Sequence, residues 1–558
     1  MFVLAVHSER FKRKRKKDSP PKGFIGPMRK HRKDVSVMDM RQFTIALTLC
    51  LSCQAFLVRG VPQLIQIQVV TRHGARTVLT KQAATLAEGG SSLTSKGERQ
   101  LNKIGEELRA EYMTQDSRLK NLKVYEANKV WLQSSNMDRT IASSMSLAEG
   151  IWPETADESM YPNNISKQIP VHSVGSGKND VTIRSYANCP TFHTRLEKLY
   201  SSKSFVKKEQ DNLDFLRVLK TKFPSLTGRG SSGSTLDYVQ LRNVWNIFDA
   251  INVAKDLQPH SAMATKLTLD QFTKLKELTA WVEHNRFSAD VAGILIGSNL
   301  WREMFNRMES LYLFNADSSK ENTTFQDIFE TNTLPAGALH PPHQFIHYSA
   351  HYPTILGLFS ALNLFEKNSF LKYESNKDVS AIPNYGAALI LEVWKATQTN
   401  LVSTKAIEDS IYLRLRYKDG DSVATNSSPY VEFGDECTAA SEKLGFPIKS
   451  CPIAKFKELL NKQIFTNYGG WCYACENFES QVCLLENAKE LRSKCDTSGT
   501  SLSGIGGLII GAIMGIFFSF ACVFTGLCDG IVKKCCRRHE RYQLHETTTE
   551  LPANHNSL

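Results

Sequence analysis

Five side chains suited to holding a single tetrahedral oxyanion stand at three separate places in this chain. Arg72, His73 and Arg76 lie in Val70-Thr-Arg-His-Gly-Ala-Arg-Thr77, Arg139 in Ser135-Asn-Met-Asp-Arg-Thr140, and His351 in Tyr348-Ser-Ala-His351. Guanidiniums present forked donors that match the oxygens of a phosphate. Of two imidazoles among them, one kept neutral can attack phosphorus, while the other can donate to a non-bridging oxygen. The arginine charges are expected to depress both histidine pKa values, so that the nucleophile stays a free base at acid pH. A lone histidine after a strand is ordinarily structural, and it is the grouping that points to chemistry. Other candidates are weaker. His340, His343 and His347 precede His351, but Pro341-Pro342 prevents the continuous helix that a helical metal motif needs. Cys472-Tyr-Ala-Cys475 has no second CxxC and no βαβ surroundings, which points to disulfides rather than zinc or redox chemistry. His172 reads as structural. No metal and no cofactor are expected.

Each of the three places follows a β-rich run and precedes a helical one. Residues 64–71 form the first run, and residues 93–112 then show helical spacing, with Leu101, Ile104 and Leu108 on one face and a capping box from Ser95 to Glu98. A strand is expected at 129–134 with a helix to 149, and another at 344–349 with a helix through 362. A last strand pair is expected at 386–392 and 411–417. In an open α/β sheet, ligands bind beyond the carboxyl ends of the strands, where all five side chains would gather. The middle, about 190–330, is rich in Leu and Lys at helical spacing. The expected fold is therefore α/β, a mixed, mainly parallel sheet flanked by helices, with an inserted helical cap domain at about 190–330.

With 558 residues, 42% hydrophobic and 22% charged, the chain has the composition of a globular protein and is not wholly disordered. Of its net charge of +12, residues 1–40 supply +8, from twelve Lys or Arg against four acids. Such a leader suits nucleic acid, but the apolar stretch at 43–57 that follows reads as a secretory signal. Residues 1–39 are thus read as a basic leader upstream of a true start at Met38 or Met40, with 40–59 the signal peptide. A nucleic-acid partner is not expected. The 24 uncharged residues 504–527 would span about 36 Å as a helix, enough for a bilayer. Lys533, Lys534, Arg537, Arg538 and Arg541 follow, so the positive-inside rule makes 529–558 a cytoplasmic tail and gives type I topology. Residues 496–503 read as a stalk and 504–528 as a C-terminal transmembrane helix. Gly507, Gly511 and Gly515 leave a homodimer open. Seven of the thirteen cysteines fall between residues 60 and 500, as expected of an oxidising compartment, and Asn164, Asn322 and Asn426 head glycosylation sequons. Tyr542-Gln-Leu-His545 lacks the bulky final residue of a sorting signal, which favours the plasma membrane or secretory pathway over the lysosome.

The motif Arg72-His73-Gly74-Ala75-Arg76 resembles the signature of the histidine acid phosphatases, the prostatic and lysosomal acid phosphatase type. The resemblance extends through residues 93–112, 135–140, 169–172, Asn188-Cys-Pro190, 348–351 and 450–456, so it spans roughly 62–475. It implies an acid phosphatase of residues 60–495 that takes small phosphomonoesters or phosphorylated ligands. His73 would form the phosphohistidine, Arg72, Arg76 and Arg139 would hold the phosphate, and His351 would be a further donor. It also implies the disulfides Cys437–Cys451 and Cys189–Cys472. One position departs from the family. Where the acid phosphatases carry the Asp that protonates the leaving oxygen, this chain has Tyr352. A phenol near pKa 10 is a poor acid, and general acid catalysis is worth about 10²–10⁴-fold. Three readings follow: an enzyme limited to good leaving groups, another acid such as Asp138, or a pseudophosphatase that binds a phosphorylated ligand.

Overall fold

The structure, a computed structural model, describes residues 60–77, 91–113, 118–153, 169–175, 177–226, 236–317, 339–365, 368, 382–397, 408–420 and 429–500. The leader, the signal peptide, the span at 504–528, the tail and all three sequons lie outside them. Among the described residues no helix is long and apolar enough to cross a membrane.

The alternation of residues 64–71 suggests a strand with one polar face, yet β1 (Gly60–Arg72) is buried on both faces from Leu64 onward. Gln66 and Gln68 are fully buried because their amides are bonded. Gln66 Nε2 donates to the carbonyl of His343 at 2.7 Å and Gln68 Nε2 to that of Met304 at 2.7 Å. A buried amide without such partners would cost about 1–3 kcal/mol. On the opposite face Ile67 and Val69 are wholly buried, each such side chain contributing about 1.5–3 kcal/mol.

The strands β2 (Val130–Ser134), β3 (His172–Ser173), β4 (Phe345–Ala350), β5 (Ala388–Thr397), β6 (Ile411–Lys418) and β7 (Tyr430–Val431) complete the order β3-β2-β4-β1-β5-β6-β7, and β8 (Ser450–Pro452) also pairs with β6. The sheet is mixed as expected, but it is not mainly parallel. The β3-β2-β4-β1 half is parallel, whereas every pairing of β5, β6, β7 and β8 is antiparallel. The strands β5, β6 and β7 are consecutive and adjacent, and meander neighbours run antiparallel, while parallel pairs need crossovers.

After β1 comes α1 (Ser95–Tyr112), which buries Leu101, Ile104 and Leu108. Its cap is Thr94 rather than Ser95. The Thr94 side chain accepts from Gly97 N at 3.1 Å, and because a glycine at the third helical position has no side chain to return the bond, this is a simple N-cap and the expected capping box does not form. The helix α2 (Asp138–Ile151) follows β2. The middle of the chain forms α3 (Pro190–Tyr200), α4 (Lys203–Gln210), α5 (Leu213–Lys222), α6 (Val244–Leu257), α7 (Leu269–Arg286) and α8 (Ser298–Asp317). The cap's own core runs only from Phe205 to Val282. Phe192, Leu196, Leu300 and Trp301, from α3 and α8, join the core on the sheet instead. The helical insertion is thus narrower than its helical composition suggests. After β4 comes α9 (Tyr352–Ala361), and the last described helices are α10 (Asp435–Leu444), α11 (Ile453–Gln463), α12 (Tyr468–Cys475) and α13 (Gln481–Thr500). Residues 496–500, read as stalk, are the last part of α13.

The disulfides need one correction. Cys437–Cys451 forms, but Cys189 bonds Cys475, with Cα atoms 4.7 Å apart, and Cys472 bonds Cys483. Cys472 and Cys475 stand one turn apart on α12. That turn faces Cys475 toward α3 and leaves Cys472 to staple α12 to α13.

Candidate active site

The sheet brings the three expected places together. β1 lies between β4 and β5, and its ladder continues past Arg72: Arg72 N donates to Ala387 O at 2.8 Å and His73 N to Ala350 O at 3.0 Å. His73 is thereby fixed beside His351, and their rings meet edge to face with centroids 5.4 Å apart. Ser135 N donates to Ser349 O at 3.1 Å, which aligns the end of β2 with the same edge and presents Arg139 from the first turn of α2. Arg72, His73, Arg76, Arg139 and His351 are all buried, with exposures of 3–6%.

The glycine after His73 has a steric reason. A Cβ on Gly74 would stand 2.4 Å from the carbonyl oxygen of Gly97, and one on Gly97 would stand 2.2 Å from that of Ala75. The turn after β1 therefore lies directly against the start of α1.

His73 Nδ1 is 2.8 Å from the carbonyl oxygen of Gly74. A carbonyl only accepts, so Nδ1 carries the hydrogen and Nε2 keeps its lone pair. Burial lowers the His73 pKa well below its usual value, and the charges of Arg139, Arg72 and Arg76 and the neighbouring His351 add to the effect. The same causes lower His351, with Arg184 among its charged neighbours. The expected direction is correct, but burial outweighs the arginines. His351 Nε2 lies 2.9 Å from Ser135 Oγ, which in turn lies 2.9 Å from Thr140 Oγ1.

The guanidiniums are anchored by one or two hydrogen bonds each, which leave donors over; Arg76 Nη1 also donates to Thr77 O at 3.1 Å. Arg72 Nη1 donates to Pro383 O at 2.5 Å, and its guanidinium lies 4.1 Å from the Tyr385 ring centroid. Arg76 Nη2 pairs with Asp249 of α6 at 2.8 Å. Arg139 Nη1 reaches Ser91 Oγ at 3.4 Å, and burial lowers its pKa to about 10. The Nε atoms of all three are buried without a protein acceptor. Buried guanidiniums with donors left unpaired suit an oxyanion.

Tyr352 is not aimed at a leaving group. Its hydroxyl donates to Glu283 Oε2 at 3.0 Å, and Arg286 of the same helix α7 holds the other carboxylate oxygen at 2.6 Å. Burial and the Glu283 charge raise the phenol pKa well above its usual value. Asp138, the other candidate acid, is exposed in the first turn of α2. His347 has both ring nitrogens engaged, with Thr71 and Ser144 hydroxyls at 2.9 Å each. His172 stacks on Trp131, their centroids 3.9 Å apart. Among the described residues no group of His, Cys, Asp or Glu is arranged to hold a metal.

Residues 80–418 match the histidine phosphatase superfamily (branch 2). The chain belongs to that superfamily. Prostatic acid phosphatase of Rattus norvegicus is 22% identical over 428 residues, covering 75% of this chain and 91% of that one. Testicular acid phosphatase of Mus musculus is 26% identical over 329 residues, covering 56% and 66%. Among solved structures, the phytase of Klebsiella sp ASR1 aligns with a TM-score of 0.45 at 15% identity, over 73% of this chain and 97% of that one. The superfamily match begins beyond His73.

This histidine phosphatase site also contains residues that sequence reasoning did not select. Ser135 directly follows β2, and that position at a strand end was the available signal. Tyr385, in the turn before β5, and Asp249 and Glu283, in the cap, are remote in sequence from their partners and follow no spacing rule.

Proposed function

We propose that this histidine phosphatase is an acid phosphatase that hydrolyses phosphate monoesters through a phosphohistidine at His73. One observation carries the reading: His73 Nε2 is left unprotonated among three guanidiniums whose Nε donors have no protein acceptor. Nε2 attacks phosphorus, the P–N bond forms as the ester P–O bond breaks, and the bonding electrons leave with the ester oxygen. A water oxygen then attacks phosphorus, the P–Nε2 bond breaks, phosphate departs and the water proton passes to solvent. Arg72, Arg76 and Arg139 bear the charge that accumulates on the non-bridging oxygens. In the tautomer in which Ser135 Oγ donates to His351 Nε2 across their 2.9 Å contact, His351 Nδ1–H is left to donate to one of those oxygens. The proposed setting is lumenal or extracellular, with residues 504–528 as the anchor.

Because the Tyr352 hydroxyl is committed to Glu283, the leaving oxygen departs as an anion that its own substituent must stabilise. The substrates are therefore aryl phosphates and other esters of acidic alcohols. The same hydrogen bond also supports a second reading, a pseudophosphatase that binds phosphorylated ligands without turnover. The test is turnover of para-nitrophenyl phosphate against glycerol phosphate at pH 5 by the purified full-length protein. The expected result is aryl ester hydrolysis faster by about 10²–10⁴-fold, the usual worth of a general acid. Equal rates would mean that another acid serves the site. Saturable phosphate binding without turnover would establish the pseudophosphatase.

A further inference from the structure

A fourth guanidinium stands beside this site, one more than the phosphate-holding set requires. Arg184 lies in the loop between β3 and α3, close enough to contribute to the electrostatics of both His351 and Arg139. Three hydrogen bonds hold its loop in place. Asp180 Oδ1 accepts from the backbone N–H of Ile183 at 2.8 Å and of Arg184 at 3.3 Å, and Thr354 of α9 donates to Ile183 O at 2.8 Å. The Arg184 guanidinium lies close enough to the Tyr186 phenol to act on its electrostatics, and the Tyr186 ring lies 6.3 Å from that of His351, edge to face. Its Nε has no protein acceptor, and among the described residues it forms no ion pair. Unlike Arg72, Arg76 and Arg139, it is only partly buried, so it stands toward the rim.

The charges do not balance for a simple monoester. Arg76 is neutralised by Asp249 and Arg286 by Glu283. Arg72, Arg139 and Arg184 have no carboxylate at ion-pair distance among the described residues. Asp180 is the acid nearest Arg184 in sequence. Burial raises its pKa to about 6, so at acid pH it is largely protonated and does not offset the guanidinium. A phosphomonoester, whose second pKa is about 6, brings between one and two negative charges to these three guanidiniums at acid pH, and the one at the rim is left for the part of the substrate beyond the phosphorus.

We infer that Arg184, with Tyr186, forms a second anion subsite, so that the preferred substrate is a phosphomonoester carrying another anionic group close to the phosphate. This rests on the phosphatase reading for the position of the first phosphate. Methylenebisphosphonate, with two phosphonates joined by one carbon, and inorganic phosphate serve as probes. Their dissociation constants would be measured by calorimetry at pH 5 on full-length wild type, Arg184→Gln and Arg184→Lys. Wild type should bind the bisphosphonate about tenfold or more tightly than phosphate, as charge-assisted bonds allow, and Arg184→Gln should abolish most of that preference. Arg184→Lys should retain part of it, and thermal melts of both variants verify folding. Absence of preference in wild type, or an unchanged ratio in Arg184→Gln, would overturn the subsite. Failure of wild type to bind either probe would instead overturn the phosphate site itself.

Discussion

At the scale of single residues, the decisive exchange is Tyr352 in the position where the acid phosphatases carry Asp. Its hydroxyl reaches a cap carboxylate, and in the proposed mechanism it positions the cap rather than donating a proton to substrate. Tyr352→Phe should therefore leave kcat for para-nitrophenyl phosphate within about threefold of wild type, whereas loss of a general acid would cost about 10²–10⁴-fold. It should also lower stability by about 1–3 kcal/mol, because one oxygen of the buried Glu283 loses its donor. Steady-state kinetics and urea unfolding on the same preparation separate the two effects. A hundredfold loss of kcat would make Tyr352 the acid after all.

At the scale of elements, the carboxyl ends of β1, β2 and β4 present His73, His351 and the arginines proposed to hold the phosphate, while the cap reaches the same place through α6 and α7. The pair Arg76–Asp249 joins the two with both side chains almost fully buried, 3% and 8% exposed. Asp249→Asn leaves Arg76 uncompensated and should cost about 3 kcal/mol, the scale of breaking one partner of a buried pair. Weaker phosphate binding should accompany it, read by calorimetry. An unchanged melting midpoint would show that the pair is not holding the cap. The strand-then-helix units were legible in the sequence because alternation and helical spacing are local signals. The antiparallel half of the sheet was less so, since strand direction depends on which neighbour each strand finds. Gln66 and Gln68 look like a solvent face because composition does not reveal that their amides meet carbonyls of α8 and of the segment entering β4. The Arg76 and Tyr352 partners lie in a different domain layer, beyond the reach of any spacing rule.

At the scale of the whole molecule, four histidines are buried with lowered pKa values: His73, His343, His347 and His351. Burial brings His343 and His347 to about 3. In the unfolded chain each binds a proton near pH 6.5. Below that pH the unfolded state binds more protons than the native one, so stability is full above pH 6.5 and is lost as pH falls toward 3. The melting midpoint should drop steadily between pH 6.5 and pH 4, and phosphate at saturating concentration should recover part of the loss by binding only the native state. A midpoint that rises over this interval would contradict the neutral, buried state of these rings. The cysteine framework was also partly legible at this scale. Its presence followed from compartment and number, but the choice between Cys472 and Cys475 for Cys189 depends on which side of one helical turn faces α3.

The central claim is a covalent bond between phosphorus and His73. The most direct measurement mixes the full-length protein with radiolabelled aryl phosphate, stops the reaction in alkali within its first turnovers, and locates the label by peptide mapping. The account predicts a base-stable, acid-labile label on the peptide that contains His73, absent from His73→Ala, whose turnover should fall by on the order of 10³-fold or more. Turnover without any such label, or a label carried by another residue, would contradict it.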